Sequence, residues 1–212
     1  MSWSVKAWLL VLCIAAPAAF PSDARIVYTK SFPGSSPAYV SIAVERSGEV
    51  SYKEEVDDDS PEKFHLEEAG TEVMFDLAAR LDHFKHPLES GLKVANMGVK
   101  TFRWEEGGAA SEQKFNYSTD ENAKALHDWF EAITETERLF AELKRAARHD
   151  KLGVHEALIH IEATWMQRRL TGADQFLPLL DQIAQNEIYL HMARQRAAIL
   201  GEAIRASKAK AQ

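Results

Sequence analysis

The chain has a single cysteine, Cys13, in 212 residues, and that residue sits inside an N-terminal apolar run. Beyond it there is no thiol. This excludes a structural disulfide, a cysteine nucleophile, a thiolate zinc site and an iron–sulfur cluster from the rest of the chain. Positive charge is also short: the formal net charge is -7. That balance gives no electrostatic footprint for nucleic acid. No later segment is apolar enough to span a bilayer, which needs roughly 20 apolar residues. Three glycine-dependent motifs are missing as well: the serine elbow G-x-S-x-G, the Walker A loop and the dinucleotide fingerprint G-x-G-x-x-G.

What is present begins with a leader. In "MSWSVKAWLLVLCIAAPAAFPSDA", Lys6 precedes an apolar stretch from Ala7 to Ala16, and small residues follow at Ala16-Pro17-Ala18 and Ser22-Asp23-Ala24. This is the layout of a secretory signal peptide over residues 1–24, with cleavage after Ala18 or Ala24. Leu12 stands where lipid attachment to Cys13 would want a small residue. The expected location is therefore secreted or periplasmic, by a bacterial export route, with no stable membrane span after cleavage.

Charge and texture divide the remainder. Residues 25–133 carry 12 basic and 21 acidic side chains, whereas residues 134–212 carry 12 basic and 10 acidic. The first part mixes strand and helix signals. Val40, Ile42 and Val44 alternate with Ser41, Ala43 and Glu45, the period of a strand with one buried face. Ser47-Gly48 supplies the turn, and Val50, Tyr52 and Val56 continue on a return strand. Phe102 and Trp104 oppose Phe115 and Tyr117 in a second hairpin across Gly107-Gly108. A helix carrying Val73, Met74, Leu77, Ala78, Leu81 and Phe84 follows the first hairpin and stops before Pro87. A second helix starts at the N-cap Asp120 and buries Leu126, Trp129, Phe130 and Ile133.

The expectation is an α+β fold: two β-hairpins forming an antiparallel sheet covered by two helices, in the order ββαββα, over residues 25–133. Arg25–Lys30 is an additional strand placed at an edge. An all-α extension over 134–206 follows, with helices at about 152–169, 174–185 and 187–206. Thr134 and Glu137 have capping-box spacing, so the helix either restarts there or runs through to His149. Residues 207–212 are read as a disordered tail.

The most suggestive chemistry is "HEALIH", His155 to His160. A zinc-protease helix places two histidines four apart, about 40° around the axis; five apart is about 140°, so these two cannot share an ion. His83 and His86, with Asp82 nearby, lack a third ligand. Asp57-Asp58-Asp59 after Glu54-Glu55 lacks the glycine and closing glutamate of a calcium loop. Ser35 and Ser36 lie in a turn-rich lead, and Trp104, Trp129 and Trp165 fall on apolar faces. Arg168, Arg169, Arg194, Arg196 and Arg205 make the helical part mildly basic. No metal and no cofactor is expected.

These readings lead to an exported, non-enzymatic binding or interaction protein whose partner is another envelope or secreted protein, with Arg25–Lys30 offered as an edge for strand addition. The rival is a hydrolase whose site is assembled from distant residues. Its mark would be a pocket gathering two or more of His65, Asp82, His83, His86 and Glu89.

Overall fold

A computed structural model describes residues 24–211; the leader expected at residues 1–24 lies, except for Ala24, outside them. The fold is α+β, with one six-stranded antiparallel sheet and five α-helices, four of them after the last strand. The strands are β1 (Arg25–Ser31), β2 (Tyr39–Glu45), β3 (Glu49–Lys53), β4 (Glu62–His65), β5 (Val99–Glu106) and β6 (Ala109–Phe115). The helices are α1 (Glu68–Arg80), α2 (Glu121–His149), α3 (Val154–Met166), α4 (Leu177–Gln185) and α5 (His191–Ala211).

Both expected hairpins form, but the order ββαββα does not describe the sheet. Its strand order is β4-β3-β2-β1-β5-β6. β1 is therefore not an edge strand: Tyr28 pairs with Ile42 on one side and with Phe102 on the other. The alternation of Ile26 and Tyr28, both fully buried, reads as a strand from sequence. Its central position depends on pairing with a strand about seventy residues away, and no local pattern encodes that. β4 is a further addition. The chain after β3 turns back instead of entering the helix directly, which leaves Val56 62% exposed and puts Asp57–Asp59 in the β3–β4 connection. Strand addition at Arg25–Lys30 is excluded by this topology, since both sides of that strand are already paired.

Gly48 shows why the first turn needs glycine. Its φ is 90°, its carbonyl accepts from Leu66 N at 2.9 Å, and a Cβ there would lie 2.9 Å from Leu66 O. A side chain would be strained in that backbone region and would also collide with the chain leaving β4.

One sheet face carries Ile26, Tyr28, Val40, Ile42, Val44, Val50, Tyr52, Phe102 and Phe115, and α1 and the first half of α2 cover it. α2 begins where Asp120 Oδ1 accepts from Asn122 N at 2.8 Å and Ala123 N at 3.1 Å. The helix has 29 residues and so is about 44 Å long. No break occurs at Thr134, whose hydroxyl donates back to Phe130 O at 2.9 Å. The capping-box spacing there is thus accidental.

The buried stripe of α2 serves two cores in succession. Leu126, Phe130 and Ile133 belong to the sheet core; Leu139, Leu143, Ala146 and Ala147 belong to a second core with α3, α4 and α5. Between them the stripe turns polar at Thr136 and Glu137, both buried. The helical part is closed by Phe140 against Phe176 (ring centroids 4.9 Å apart) and by the Tyr189 hydroxyl donating to Ala147 O at 3.2 Å. Pro178 falls in the first turn of α4, where its missing N–H costs nothing. α5 continues to Ala211, so residues 207–211, read as tail from sequence, are helical. No helix among the described residues is long and apolar enough to cross a membrane.

Candidate functional site

The residues singled out from sequence do not converge. His155 and His160 lie on α3 as expected, on different sides. The His160 Nδ1 faces Glu142 of α2 at 3.7 Å, and the His155 Nδ1 is buried without a hydrogen-bond partner. Among the described residues, no three His, Cys, Asp or Glu side chains are arranged to hold a metal ion. Ser35 is occupied in its own loop, its single hydroxyl proton shared between Phe32 O at 2.7 Å and Pro37 O at 2.6 Å. The arginines mostly tie helices to one another: Arg169 to Glu135 at 3.3 Å, Arg196 to Glu162, and Arg205 to Asp181 at 2.5 Å.

Asp82, His83 and Phe84 form a short turn with φ of 48°, 51° and 61°, three consecutive left-handed residues, none of them glycine. Such a conformation costs roughly 1–2 kcal/mol per residue. Packing compensates: Phe84 is fully buried with its ring 5.3 Å from Phe102, and the His83 ring lies 4.3 Å from Trp104. The Ser111 hydroxyl caps His83 O. His86 Nε2 reaches back to Asp82 at 3.1 Å. Glu89 instead accepts from Asn116 N at 2.6 Å, and His65 sits at the other end of the first hairpin beside Gly48. None of the cavities described below gathers two of these five residues.

Two arrangements that sequence reading did not single out carry more chemistry. The first lies between the central strands and α2. The Tyr28 hydroxyl is 3.2 Å from His127 Nδ1 and donates to Glu131 at 3.2 Å, and Lys30 Nζ reaches both Glu131 oxygens at 2.9 and 3.0 Å. Lys100, 3% exposed, donates to Asn116 O at 2.8 Å. Burial, with the Glu131 charge adding to it, pushes the Tyr28 hydroxyl up and out of the physiological range. Burial also lowers Lys100, aided by the charge of Lys30, and lowers His127, only partly offset by Glu131. Burial opposes ionisation of Glu131, but the Lys30 hydrogen bonds and charge outweigh it and hold the carboxyl below its usual range. The stable form is therefore a neutral tyrosine and imidazole around one carboxylate–ammonium pair. The i,i+4 pair His127 and Glu131 on the covering face of α2 was the one signal in the sequence that pointed here.

The second is a cavity of about 260 Å³ at the join of the two cores, lined by Tyr52, Glu54, Glu62, Glu137 and Lys144 among others. Glu137 is 4% exposed and accepts from Gln175 Nε2 at 2.7 Å. Burial pushes its carboxyl up to about 7, against the lowering effect of the Gln175 hydrogen bond and with Glu62 adding to the rise. Across the cavity the Tyr52 hydroxyl donates to Glu54 at 2.7 Å, and Lys144 pairs with Glu62 at 2.6 Å. A neutral acid of this kind can give up a proton near neutral pH.

A third feature is a surface. Glu162 of α3 and Arg196 of α5 are bridged. Ile159 and Met166 lie one turn either side of Glu162, and Met192 and Ile199 one turn either side of Arg196. All four are exposed, Met166 to 77%. The result is an apolar face crossed by one ion pair, with exposed Ile188 and Leu190 in the segment leading into α5. Leu190, which continues the helical spacing of Ala193, Ala197, Leu200 and Ile204, precedes the start of α5 and is 41% exposed. Comparison of the chain with family models, with curated proteins and with solved structures finds no match.

Proposed function

We propose that this is an exported binding protein that docks another envelope or secreted protein on the α3–α5 face. The observation that carries the reading is the set of four exposed apolar side chains around the Glu162–Arg196 bridge, a kind of patch that monomers rarely leave open without use. This face replaces the Arg25–Lys30 edge as the binding element. A rigid helical surface needs no ordering on association, which favours affinity. The test is a pull-down from envelope extracts with wild type and with Met166→Glu/Ile199→Glu. Both positions are exposed, so melting should be unchanged while the retained partner is lost. Retention of the same partner by the double variant would refute the assignment of this face. A sedimentation shift to dimer that the double variant abolishes would make a second copy the occupant.

Export rests on the leader pattern, and Ala24 refines it. Its side chain is 2% exposed within the sheet core, and its carbonyl accepts from Arg46 N at 3.2 Å. Cleavage after Ala18 keeps both contacts, whereas cleavage after Ala24 removes them. The mature protein should begin at Ala19, as read by intact-mass measurement. A mature chain starting at Arg25, or one retaining Met1, counts against this reading.

The enzymatic alternative, a hydrolase, draws support from one place, the neutral Glu137 acid in its cavity. In that case Glu137→Gln should abolish hydrolysis in an ester and glycoside panel while leaving the α3–α5 pull-down intact.

A further inference from the structure

A groove of about 320 Å³ runs between α1, the first half of α2 and the loop after α3. Its walls are apolar: Leu66, Val73, Leu170 and the half-buried ring of Trp129. Gly70 keeps it open on the α1 side, since a Cβ there would come within 3.2 Å of the Trp129 ring. Gly172, at φ 55°, lets the loop after α3 pass close over β4 at the far end, where a Cβ would lie 2.7 Å from Phe64. The opening carries two charges of opposite sign. Arg168, with φ 57°, and Glu67, the residue preceding α1, both line the groove. Neither side chain makes an ion pair or hydrogen bond among the described residues, whereas the adjacent Arg169 is paired with Glu135. Glu67 lies within the field of Lys208, which is itself held by Asp174.

We propose that this groove binds a small zwitterion with an apolar body, the chemistry of a free amino acid with an aromatic or large aliphatic side chain. The body lies on Trp129 between α1 and the Leu170 loop. The carboxylate meets the Arg168 guanidinium, and the ammonium meets the Glu67 carboxylate. Apolar walls with a small number of polar groups that fix orientation are the usual construction of a small-molecule site. A simple fatty acid would leave Glu67 facing its carboxylate; a simple amine would leave Arg168 facing its ammonium. Only a ligand with both charges matches the rim. The site is separate from the α3–α5 face, and its occupancy does not depend on that face having a partner.

The experiment is saturation-transfer NMR, with dissociation constants from titration, on the full-length mature chain. The probes are L-phenylalanine, 3-phenylpropionate (no ammonium), 2-phenylethylamine (no carboxylate) and L-alanine (no ring). L-phenylalanine should bind most tightly, and removing either charge should weaken binding about two- to fivefold, the size of an exposed ion pair. L-alanine should give no transfer. Arg168→Gln should weaken phenylalanine and phenylpropionate by that factor and leave phenylethylamine bound as well as before or better. Glu67→Gln should do the converse. Both residues are exposed, so both variants should melt as wild type. The proposal is overturned if no probe gives transfer, if all four bind alike, or if the two charge variants fail to discriminate between the acid and the amine.

Discussion

Replacing Glu137 with glutamine should stabilise the protein at pH 8 by roughly 3 kcal/mol, and should do almost nothing at pH 4. Glu137 is buried at the join of the two cores, and burial raises its carboxyl to about 7. In the unfolded chain it ionises near the ordinary glutamate value. A group raised on folding gives stability that is complete below the unfolded value and is lost as pH rises through the folded one. The loss should therefore fall between about pH 4.5 and 7 in wild type. Glutamine keeps an acceptor for Gln175 Nε2 and removes the charge that Glu54 and Glu62 oppose. Lys144, which favours the ionised form, is already engaged by Glu62 at 2.6 Å. His127 titrates with the opposite sign, its lowered value giving stability that is lost on acidification. Only the difference between wild type and variant isolates Glu137. Urea midpoints measured from pH 4 to 9 give that difference directly. A variant that tracks wild type at every pH would show that Glu137 is ionised and solvated in the folded protein.

Residues 24–134 should fold alone, and extending the fragment to residue 147 should not improve it. Every member of the sheet core lies between Ala24 and Ile133, so the shorter fragment contains its own cover. Extension adds Leu139, Leu143 and Ala146, which pack only with α3, α4 and α5. On a fragment ending at 147 they would form an uncovered apolar stripe, which favours aggregation. The shorter fragment does lose something real. Gly172 sits against the Phe64 ring and the His65 carbonyl, a neighbour that β4 loses in either fragment; extension to 147 restores only the partly exposed Lys144–Glu62 pair, worth about 0–1 kcal/mol. Re-exposing part of Phe64 and Leu66 should cost about 1–3 kcal/mol. A cooperative but lowered melt, with amide protection retained in β1, β2 and β5, is the expected result. A molten 24–134 fragment beside a native 24–147 fragment would show that the second half of α2 belongs to the first core.

Several elements were decided locally. The alternation of Val40, Ile42 and Val44, the Ser47-Gly48 turn and the paired glycines of the second hairpin each specify a hairpin within some fifteen residues. Asp120 fixes the start of α2 by accepting from N–H groups two and three residues on. The five-residue spacing of His155 and His160 separates them on any helix. The change of composition near Thr134 also has a local cause, because the α2 stripe passes there from one core to the other.

Tertiary structure decided what depends on distant partners. Period-2 alternation states that Arg25–Ser31 is a strand, but both hydrogen-bonding sides of a strand look alike in sequence. Its place between β2 and β5 is set by pairing Tyr28 with Ile42 and Phe102. Tyr28 meets His127 and Glu131 about a hundred residues later, so their shared pKa shifts cannot be read from either segment. Glu137 has the same spacing as any helical glutamate. Its carboxyl is raised to about 7 because the loop carrying Gln175 and the β3–β4 connection close over it and remove the water that would solvate its charge.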